Sequence, residues 1–516
     1  MHDILIKNGT VVDGTGAKGE KKDVAINGGM ITEIGDLTGD QAREVIDASE
    51  LTVVPGFIDI SNRSDTRWRL FLDPQMESMI YQGVTTIIGG NSGTSLAPIY
   101  NEEMMQALRK WHDVSSINID WQSMEDFLAV IEKRNLAVNF GTFVGYGTLR
   151  RGITGDVSRT LTDTELVSIK KHITESIQQG ALGVSTGLVY SHEKKVTKEE
   201  LMMIGNIVAE NGGLFVAHLR DEGERILEAV DEVLDVQNVS HARTHISHLK
   251  VMQKKNWSLM EKLIEKIEKT PVVFDIYPYT FSATVLYTFL PEWVSEGGRR
   301  MMLERLRNKK IRERVVSEMN NGYDLSDVVV AETQRSHYYC GKTFRDIAKK
   351  QGNSVNEAVM DVLLASDGQV VVFCESISEE NIARGIRSKN SVISSNGMGL
   401  TITKRNENIE HPRSFGAFPR VFAQYVQQQG VCDIETMINK CTYKVAQELG
   451  LRDRGKIANN MKADIVIIDP KEFADHVEQV YVYHYAQGVR WSIINGQIAV
   501  KYGKYTGVRS GEIIKK

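Results

Sequence analysis

Two histidines in this sequence lie near the ends of apolar runs, where an imidazole ring can take part in chemistry. His218 closes the run LFVAH, and His248 lies near the end of THISHL. If both runs are parallel strands of one sheet, their carboxyl ends meet at one edge and the two rings face the same space. Because imidazole is a zinc ligand, the pair indicates a metal site, although each ring could instead form a hydrogen bond to a neighbour. Asp221 and Glu222 could orient the rings or mark the start of a helix.

Other polar residues also follow apolar runs and could join the two histidines. Ser92 lies in a Gly-rich loop after one such run, and Asn396 follows another. A serine hydroxyl beside a histidine is the arrangement of a nucleophile and its general base. Ser92 with His218 or His248 is therefore a candidate pair, and the same arrangement is common as a simple hydrogen bond.

Apolar strands alternate with helices through the middle of the chain, and this pattern predicts that the polar residues above lie at the ends of strands. Thr162 and Glu165 form a capping box ahead of one helix, and Thr197 and Glu200 repeat the pattern ahead of another. Alternation of this length is typical of a (β/α)8 barrel of the TIM type, in which every strand ends at one mouth. The predicted strands cover residues 53–60, 84–90, 137–145, 181–186, 214–219, 244–249, 272–277 and 391–395.

The two ends of the chain have a different pattern. Short strands separated by Asn-Gly and Asp-Gly turns occur at both ends, which favours a small β-sandwich assembled from both termini. We predict an α/β fold in which residues 1–54 and 450–516 form the sandwich and residues 55–449 form the barrel. An insertion at about 280–390 contains a ninth strand-like run, 370–374, and is expected to lie over the barrel mouth.

The composition excludes several classes of protein. The 516 residues, 41% of them hydrophobic, are enough for a large core and more than one domain. A net charge of −5 gives no reason to expect a nucleic-acid partner. No run approaches the roughly 20 apolar residues of a membrane span, and the amino terminus lacks a signal-peptide pattern. The four cysteines show no CxxC spacing, so we expect a cytoplasmic protein with free thiols.

Several motifs spread over almost the whole chain carry a family resemblance. They are PGFID (55–59), QGVTTIIGGNSGTSLAP (82–98), GALGVSTGLVY (180–190), HLRDEG (218–223), ISHLK (246–250), YPY (277–279), HPRSFGAFPR (411–420) and LGLRDRGKIANNMKADIVIID (449–469). Together they resemble the N-acyl-D-amino-acid deacylase, or D-aminoacylase, branch of the amidohydrolase superfamily. The resemblance implies a hydrolase with a metal-binding barrel and a small β-sandwich from both ends, the architecture that periodicity predicts.

The resemblance also implies a metal centre, and this chain departs from its residues. In the family, His-x-His after PGFID and an aspartate of the eighth strand bind one metal, and the aspartate is also the general base. A cysteine and the histidines of the fifth and sixth strands bind a tighter zinc. In this chain the His-x-His positions hold Ser61 and Arg63, the aspartate position holds Asn396, the cysteine position holds Ser92, and the two histidines are kept as His218 and His248.

These replacements weaken the case for metal-dependent hydrolysis. The hydroxyl of Ser92 offers no thiolate charge, the fixed charge of Arg63 repels a metal cation, and Asn396 cannot accept a proton. We expect zinc at one weakened site on His218 and His248, or no metal. Ser92, Asn396 and Arg63 remain the candidate catalytic residues, because a guanidinium can take over part of the electrostatic work.

The resemblance implies a substrate pocket that the chain retains in part. The family holds the carboxylate of an N-acyl amino acid with an arginine of HPR and a tyrosine of YPY, which match Arg413 and Tyr277. A planar guanidinium suits a carboxylate, although an ordinary salt bridge and a core ring would explain the same residues. Tyr146 and Ser61 complete the predicted substrate-binding set, and Ala283 replaces a family serine.

Three functions are compatible with these residues. The first is a diverged amidohydrolase that acts on an amide bond of an N-acyl amino acid or a peptide-like carboxylated substrate, with one weak metal. The second is a metal-independent enzyme for acyl transfer or cyclisation. The third is a non-catalytic binding relative. Each predicts a small-molecule partner with a carboxylate, and the sequence leaves its stereochemistry and the oligomeric state open.

Overall fold

The fold is given by a computed structural model that describes residues 1–109, 117–155, 157–319, 324–333, 335–402, 409–476 and 482–516. The strands are β1 (His2–Lys7), β2 (Thr10–Val11), β3 (Glu20–Lys21), β4 (Asp23–Asn27), β5 (Met30–Gly35), β6 (Ala42–Asp47), β7 (Thr52–Pro55), β8 (Phe57–Asp59), β9 (Val84–Gly89), β10 (Asn139–Thr142), β11 (Val144–Gly145), β12 (Gly183–Gly187), β13 (Leu214–His218), β14 (Arg243–Ile246), β15 (Val273–Ile276), β16 (Phe281–Val285), β17 (Val329–Thr333), β18 (Val370–Glu375), β19 (Ser391–Ile393), β20 (Ile465–Ile468), β21 (Val489–Ile494), β22 (Gln497–Lys501) and β23 (Lys504–Tyr505). The α-helices are α1 (Arg69–Leu72), α2 (Glu77–Ile80), α3 (Glu102–Arg109), α4 (Met124–Arg134), α5 (Tyr146–Thr154), α6 (Asp163–Gln178), α7 (Lys198–Glu210), α8 (Ile226–Ser240), α9 (Leu259–Ile267), α10 (Glu292–Ser295), α11 (Gly298–Arg307), α12 (Lys309–Met319), α13 (Phe344–Gln351), α14 (Val355–Ala365), α15 (Glu379–Arg387), α16 (Arg413–Arg420), α17 (Ile434–Cys441) and α18 (Tyr443–Leu449).

Parallel strands in chain order form the barrel, which confirms the predicted (β/α)8 class. One series of ladders joins β8, β9 and β10, and a second joins β11 to β15 and then β19, with β10 and β11 consecutive in the chain. The gap between the first and last strands is bridged where the amide of Arg63 donates to the carbonyl of Gly397 at 2.7 Å. Every residue of β9, β12 and β13 is buried, because helices cover the outside of the barrel and side chains fill its interior.

Strands from both ends of the chain share one sheet beside the barrel. Its order is β23-β22-β21-β20-β7-β2-β3, and a second sheet has the order β5-β4-β1-β6. Ile6, Ile26, Ile465 and Ile493 are among the buried residues packed between them. β7 pairs with β20 and continues after one residue into β8, so the sandwich and the first barrel strand share one stretch of chain.

A separate unit is inserted between the seventh and eighth barrel strands. β16, β18 and β17 form its antiparallel sheet, and helices α10 to α14 pack on it around their own apolar core. The strand-like run 370–374 is β18, so the surplus strand of the sequence pattern belongs to this inserted sheet and not to the barrel. Among the described helices, none has both the length and the apolar character needed to span a bilayer.

Candidate functional site

A cavity of about 600 Å³ lies at the carboxyl ends of the barrel strands, a size that suits a small-molecule ligand. Its polar wall comes from barrel strand ends and the start of α16, and contains Arg63, Ser92, His218, His248, Tyr277, Asn396 and Arg413. Its apolar wall comes from the inserted unit and includes Val285, Phe289, Met302, Val371 and Phe373. The barrel side of the cavity therefore carries most of its titratable groups, and the inserted unit adds an apolar surface together with the charged residues Arg299 and Glu332.

Three residues of the polar wall have a left-handed backbone conformation. The φ angles are +53° at Ser92, +36° at His248 and +48° at Asn396. Such conformations cost roughly 1–3 kcal/mol in residues other than glycine and persist only where surrounding contacts hold them. At His248 the backbone N–H donates to Asp275 Oδ1 at 2.8 Å. Their concentration at one mouth is typical of a functional site.

A hydrogen-bonded chain joins the predicted catalytic residues. Arg63 donates from Nε to Asn396 Oδ1 at 2.9 Å and from Nη2 to Ser92 Oγ at 2.8 Å. Ser92 Oγ lies 3.0 Å from His218 Nδ1. When His218 carries its ring proton on Nε2, Nδ1 is the acceptor and the Ser92 hydroxyl is the donor of this hydrogen bond. The structure thus brings together four residues that the sequence placed on four different strand ends.

Glu222 and Lys250 extend this chain beyond the two histidines. The rings of His218 and His248 lie edge to face with centroids 4.4 Å apart. Glu222 Oε1 is 3.6 Å from His218 Nε2 and 3.3 Å from His248 Nδ1. Lys250 Nζ donates to Glu222 Oε1 and lies 3.0 Å from His248 Nδ1. Burial lowers the pKa of both histidines well below its usual value, so both rings are neutral at physiological pH.

The donor atoms of this site are poorly matched to a catalytic metal ion. His218, Glu222 and His248 do bring three ligand atoms within 4.8 Å of one another. However, the Lys250 ammonium already contacts two of these groups, Glu222 and His248. The Arg63 guanidinium likewise takes the oxygens of Ser92 and Asn396. A metal ion would have to compete with two side-chain cations for every oxygen donor named here.

Arg413 and Tyr277 lie together on the polar wall without an anionic partner. The guanidinium carbon of Arg413 is 5.1 Å from the Tyr277 ring centroid. Within the described residues, Arg413 forms no ion pair, and neither Arg413 Nε nor the Tyr277 hydroxyl has a hydrogen-bond partner. Burial lowers the pKa of Arg413 to about 10, which leaves it charged at neutral pH. A buried cation without an anionic partner, with a tyrosine hydroxyl beside it, is a ready site for a carboxylate.

Two predicted substrate-binding residues do not line the cavity. Tyr146 is fully buried, and its hydroxyl donates to Glu200 Oε2 at 2.5 Å, where Glu200 also pairs with Arg150. It begins α5, which turns its ring into the packing against α7, so the prediction for Tyr146 is corrected. Ser61 is buried and does not line the cavity, and its Oγ has no hydrogen-bond partner within the described residues.

Sequence reasoning missed the role of Lys250 and the contact made by Arg67. His248 lies in the turn after β14 with φ +36°, so the alternation of an extended strand could not predict that the Lys250 side chain returns to it. Arg67 lines the cavity and pairs with Glu332 of β17 at 2.5 Å. No short-range pattern could show this contact, because the two residues are far apart in the chain and belong to different units.

Known proteins are similar to this chain in sequence and in fold. The D-aminoacylase of Alcaligenes xylosoxydans xylosoxydans is 28% identical over 518 aligned residues, which cover 100% of this chain and 98% of that protein. A solved D-aminoacylase structure, described as defining a novel subset of amidohydrolases, has a TM-score of 0.85 and 27% identity, with 100% of both chains covered. The N-acyl-D-glutamate deacylase of Bordetella bronchiseptica, solved with zinc and a phosphonate inhibitor, matches with a TM-score of 0.85 and 24% identity over 100% of both chains, a likeness of fold. No protein-family model matches the chain.

The similarity runs from one end of the chain to the other and includes the barrel, the sandwich and the inserted unit. It covers the sequence motifs as well as the shared fold, and the relatives act on amide bonds of N-acyl-D-amino acids. The chain is therefore, over its full length, a homologue of the D-aminoacylases and other N-acyl-D-amino-acid deacylases, of which a solved D-aminoacylase defines a novel subset of amidohydrolases.

Proposed function

We propose that this chain is an enzyme that acts on the amide bond of an N-acyl amino acid, or of a peptide-like compound with a free carboxylate, without a catalytic metal ion. The observation that carries the proposal is Arg413. This arginine is only 8% exposed, lines the cavity and forms no ion pair within the described residues. A buried guanidinium without a counter-charge is costly unless a ligand supplies one, and a substrate carboxylate would supply it.

The rest of the cavity supports the same substrate class. The carboxylate would bind at Arg413 and Tyr277 on the barrel wall. The inserted unit offers an apolar surface that includes Val285, Met302 and Phe373, which suits an acyl chain or an apolar side chain. A ligand that reached from one wall to the other would place its amide bond near the polar groups between them.

The metal-independent part of the proposal rests on the donor chemistry. A catalytic zinc usually has three protein ligands and an open position. Here the neutral oxygens of Ser92 and Asn396 are held by Arg63, and Glu222 is held by Lys250. The two cations provide positive charge in the mouth, where a developing oxyanion would need it. The histidines are then free to act as hydrogen-bond and proton-transfer groups.

Calorimetric titration with N-acetyl-D-leucine and N-acetyl-L-leucine tests the carboxylate site. We expect one enantiomer to bind the wild-type protein, and Arg413→Met to weaken its binding by about 10- to 100-fold, because a charge-assisted pair is lost. Arg413→Lys should recover part of the affinity. Arg299→Met is the matched control: Arg299 also lines the cavity, but it is already paired with Asp367 at 3.4 Å.

The primary amides N-acetyl-D-leucinamide and N-acetyl-L-leucinamide keep the acyl group and side chain but lack the carboxylate. Comparing their affinities with those of the acids therefore measures the contribution of the carboxylate to binding. Both amides should bind weakly to the wild-type protein and equally weakly to Arg413→Met. Equal affinity of acid and amide for the wild-type protein would contradict the proposal. Binding of the acid without release of acetate or leucine would instead support a non-catalytic relative that keeps the pocket.

A further inference from the structure

We propose that Ser92 is the nucleophile of this site and forms an acyl-serine intermediate, with His218 as its general base. The inference deepens the proposed function and rests on it, because the acyl group comes from the amide substrate. It assigns to the polar wall a chemistry different from water attack at a metal ion.

The hydrogen bonds around Ser92 have the directions that a nucleophilic serine requires. His218 Nδ1 is 3.0 Å from Oγ and, in the tautomer protonated on Nε2, accepts the hydroxyl proton, while Arg63 Nη2 donates to Oγ from another side at 2.8 Å. One lone pair of Oγ therefore remains for attack on a carbonyl carbon. The distances lie within the range expected for a nucleophile and its base.

The third group of the arrangement is Glu222. His218 uses Nδ1 to accept from Ser92, so its ring proton is on Nε2, which faces Glu222 Oε1 at 3.6 Å. At this distance the carboxylate accepts no hydrogen bond from Nε2, but its negative charge stabilises the imidazolium that forms when the serine proton arrives. Glu222 is a positioning residue in this scheme, since it acts through His218.

The backbone also presents Ser92 to the cavity. The residue has φ +53° between Gly90 at φ +72° and Gly93 at φ +74°. A Cβ at Gly90 would meet the Phe143 carbonyl oxygen at 2.0 Å, so the loop can make this close turn only with glycine there. A serine held in the left-handed region on a tight turn after a strand is strained, and strain of this kind marks functional positions.

The bond changes balance without any co-reactant other than water. Ser92 Oγ attacks the amide carbonyl carbon, and its proton moves to His218 Nδ1. The oxyanion forms next to the Arg63 guanidinium, and its collapse breaks the C–N bond while His218 returns the proton to the leaving nitrogen. Water then attacks the ester, gives its proton to His218, and the C–Oγ bond breaks as Ser92 regains a proton. An amine in place of water would transfer the acyl group.

Acetylation by p-nitrophenyl acetate tests the nucleophile directly, because this probe delivers the same acyl group as an N-acetyl amino acid. The protein is mixed with the probe, the reaction is stopped with acid, and the acetylated residue is located by peptide mass spectrometry. We expect a burst of p-nitrophenol and one acetyl group on Ser92. Ser92→Ala should abolish both, and His218→Asn should slow acetylation by about 100-fold or more, since a general base contributes this much. Ser191→Ala, another serine of the cavity wall, is the matched control and should react like wild type.

Further variants keep the test decisive. Ser92→Cys retains a nucleophile and should still be acetylated at position 92. This result would show that a substitution at position 92 does not by itself unfold the site, so the loss of acetylation in Ser92→Ala would come from the missing hydroxyl. Glu222→Gln should slow acetylation but bind N-acetyl-leucine as tightly as wild type. A purely structural defect would instead reduce both the acetylation rate and the binding affinity. Absence of acetyl-Ser92 in a wild-type protein that binds N-acetyl-leucine would overturn the inference and leave the proposed function standing. Acetylation of another residue alone would also overturn it, and loss of N-acetyl-leucine binding would reject the proposed function separately.

Discussion

Single residues set the charge of the barrel mouth. Arg63 and Lys250 place two cations among the oxygen and nitrogen donors of Ser92, Asn396 and His248. Arg63 is always charged, and although burial lowers the pKa of Lys250, its ion pair with Glu222 favours the protonated form. Placing an added metal ion beside these cations is unfavourable, because like charges in a buried site repel strongly. The neutral imidazoles can then exchange protons with a hydroxyl.

Metal analysis checks this view of the charges. After expression with added zinc and a wash with chelator, we expect far less than one metal ion per chain by elemental mass spectrometry. His218→Ala should not change the metal content, and the chelator should not change the binding of N-acetyl-leucine. About one zinc per chain, lost in His218→Ala, would contradict metal independence and favour a weak zinc site on His218 and His248.

The buried carboxyl group of Glu193 should make the stability of the protein depend on pH. Burial raises the pKa of Glu193 to about 8, although its carboxylate accepts from the Gly187 amide at 2.8 Å. The unfolded chain loses this proton near pH 4.5 and the folded chain near pH 8. Between these values the free energy of unfolding falls as pH rises, by up to about 1.4 kcal/mol per pH unit.

Glu193→Gln should remove this dependence, because glutamine keeps an acceptor for Gly187 and carries no charge. In urea denaturation the variant should gain stability over wild type as pH rises from 5 to about 8, and the difference should then stay constant. Glu210→Gln, at an exposed position on α7, is the control for the residue type. A constant difference over the whole interval would show that Glu193 is ionised in the folded protein.

The helices show which features of the structure local sequence patterns can predict. The capping box of Thr162 and Glu165 is confirmed at the start of α6, and alternation predicted the barrel. At α7, Thr197 caps the helix as expected, but the Glu200 carboxylate turns inward. It binds Tyr146 and Arg150 because a buried arginine needs a counter-charge more than an exposed helix end needs a second hydrogen bond. Local patterns therefore predict where elements begin, and tertiary contacts decide where their side chains point.

A buried ion pair holds the barrel and the sandwich together. Asp464, just before β20, accepts from Arg454 Nη1 at 2.7 Å and from Asn139 of barrel strand β10 at 2.9 Å. Its other oxygen accepts from the amide of Asn495 at 2.8 Å. Both charged side chains are almost fully buried, so removal of one leaves the other without its main partner.

Asp464→Asn should lower the free energy of unfolding by about 3 kcal/mol, because the neutral amide leaves the Arg454 charge buried. Asp453→Asn removes a half-exposed partner of the same arginine, 3.2 Å away, and should cost less than about 1 kcal/mol. Denaturant midpoints of the two variants measure the difference. Equal effects would mean that the buried pair contributes no more than the exposed one.

At the scale of the whole molecule, the site lies between two units that the sequence could describe only separately. The strand ends, Arg413 and Tyr277 were predictable from motifs and from the rule that barrels act at one mouth. The apolar wall was not, because the inserted sheet contributes it through contacts between distant segments such as Arg67 and Glu332. The inward turn of Tyr146 was missed for the same reason. The position of a residue along a barrel strand predicts at which end of the barrel its side chain lies. It does not predict which residues of the inserted unit lie opposite that side chain.

The guanidinium of Arg63 bridges Ser92 and Asn396. The positive charge at the barrel mouth therefore comes from the polypeptide chain and does not have to come from a bound metal ion. A metal ion must be acquired after synthesis, can be exchanged for another metal and can be removed when the cell is starved of zinc. Arg63 is added at translation, is present once in every molecule and has no competitor for its place. If chemistry at this mouth depends on Arg63, the activity of the protein follows its abundance and is independent of the metal balance of the cell.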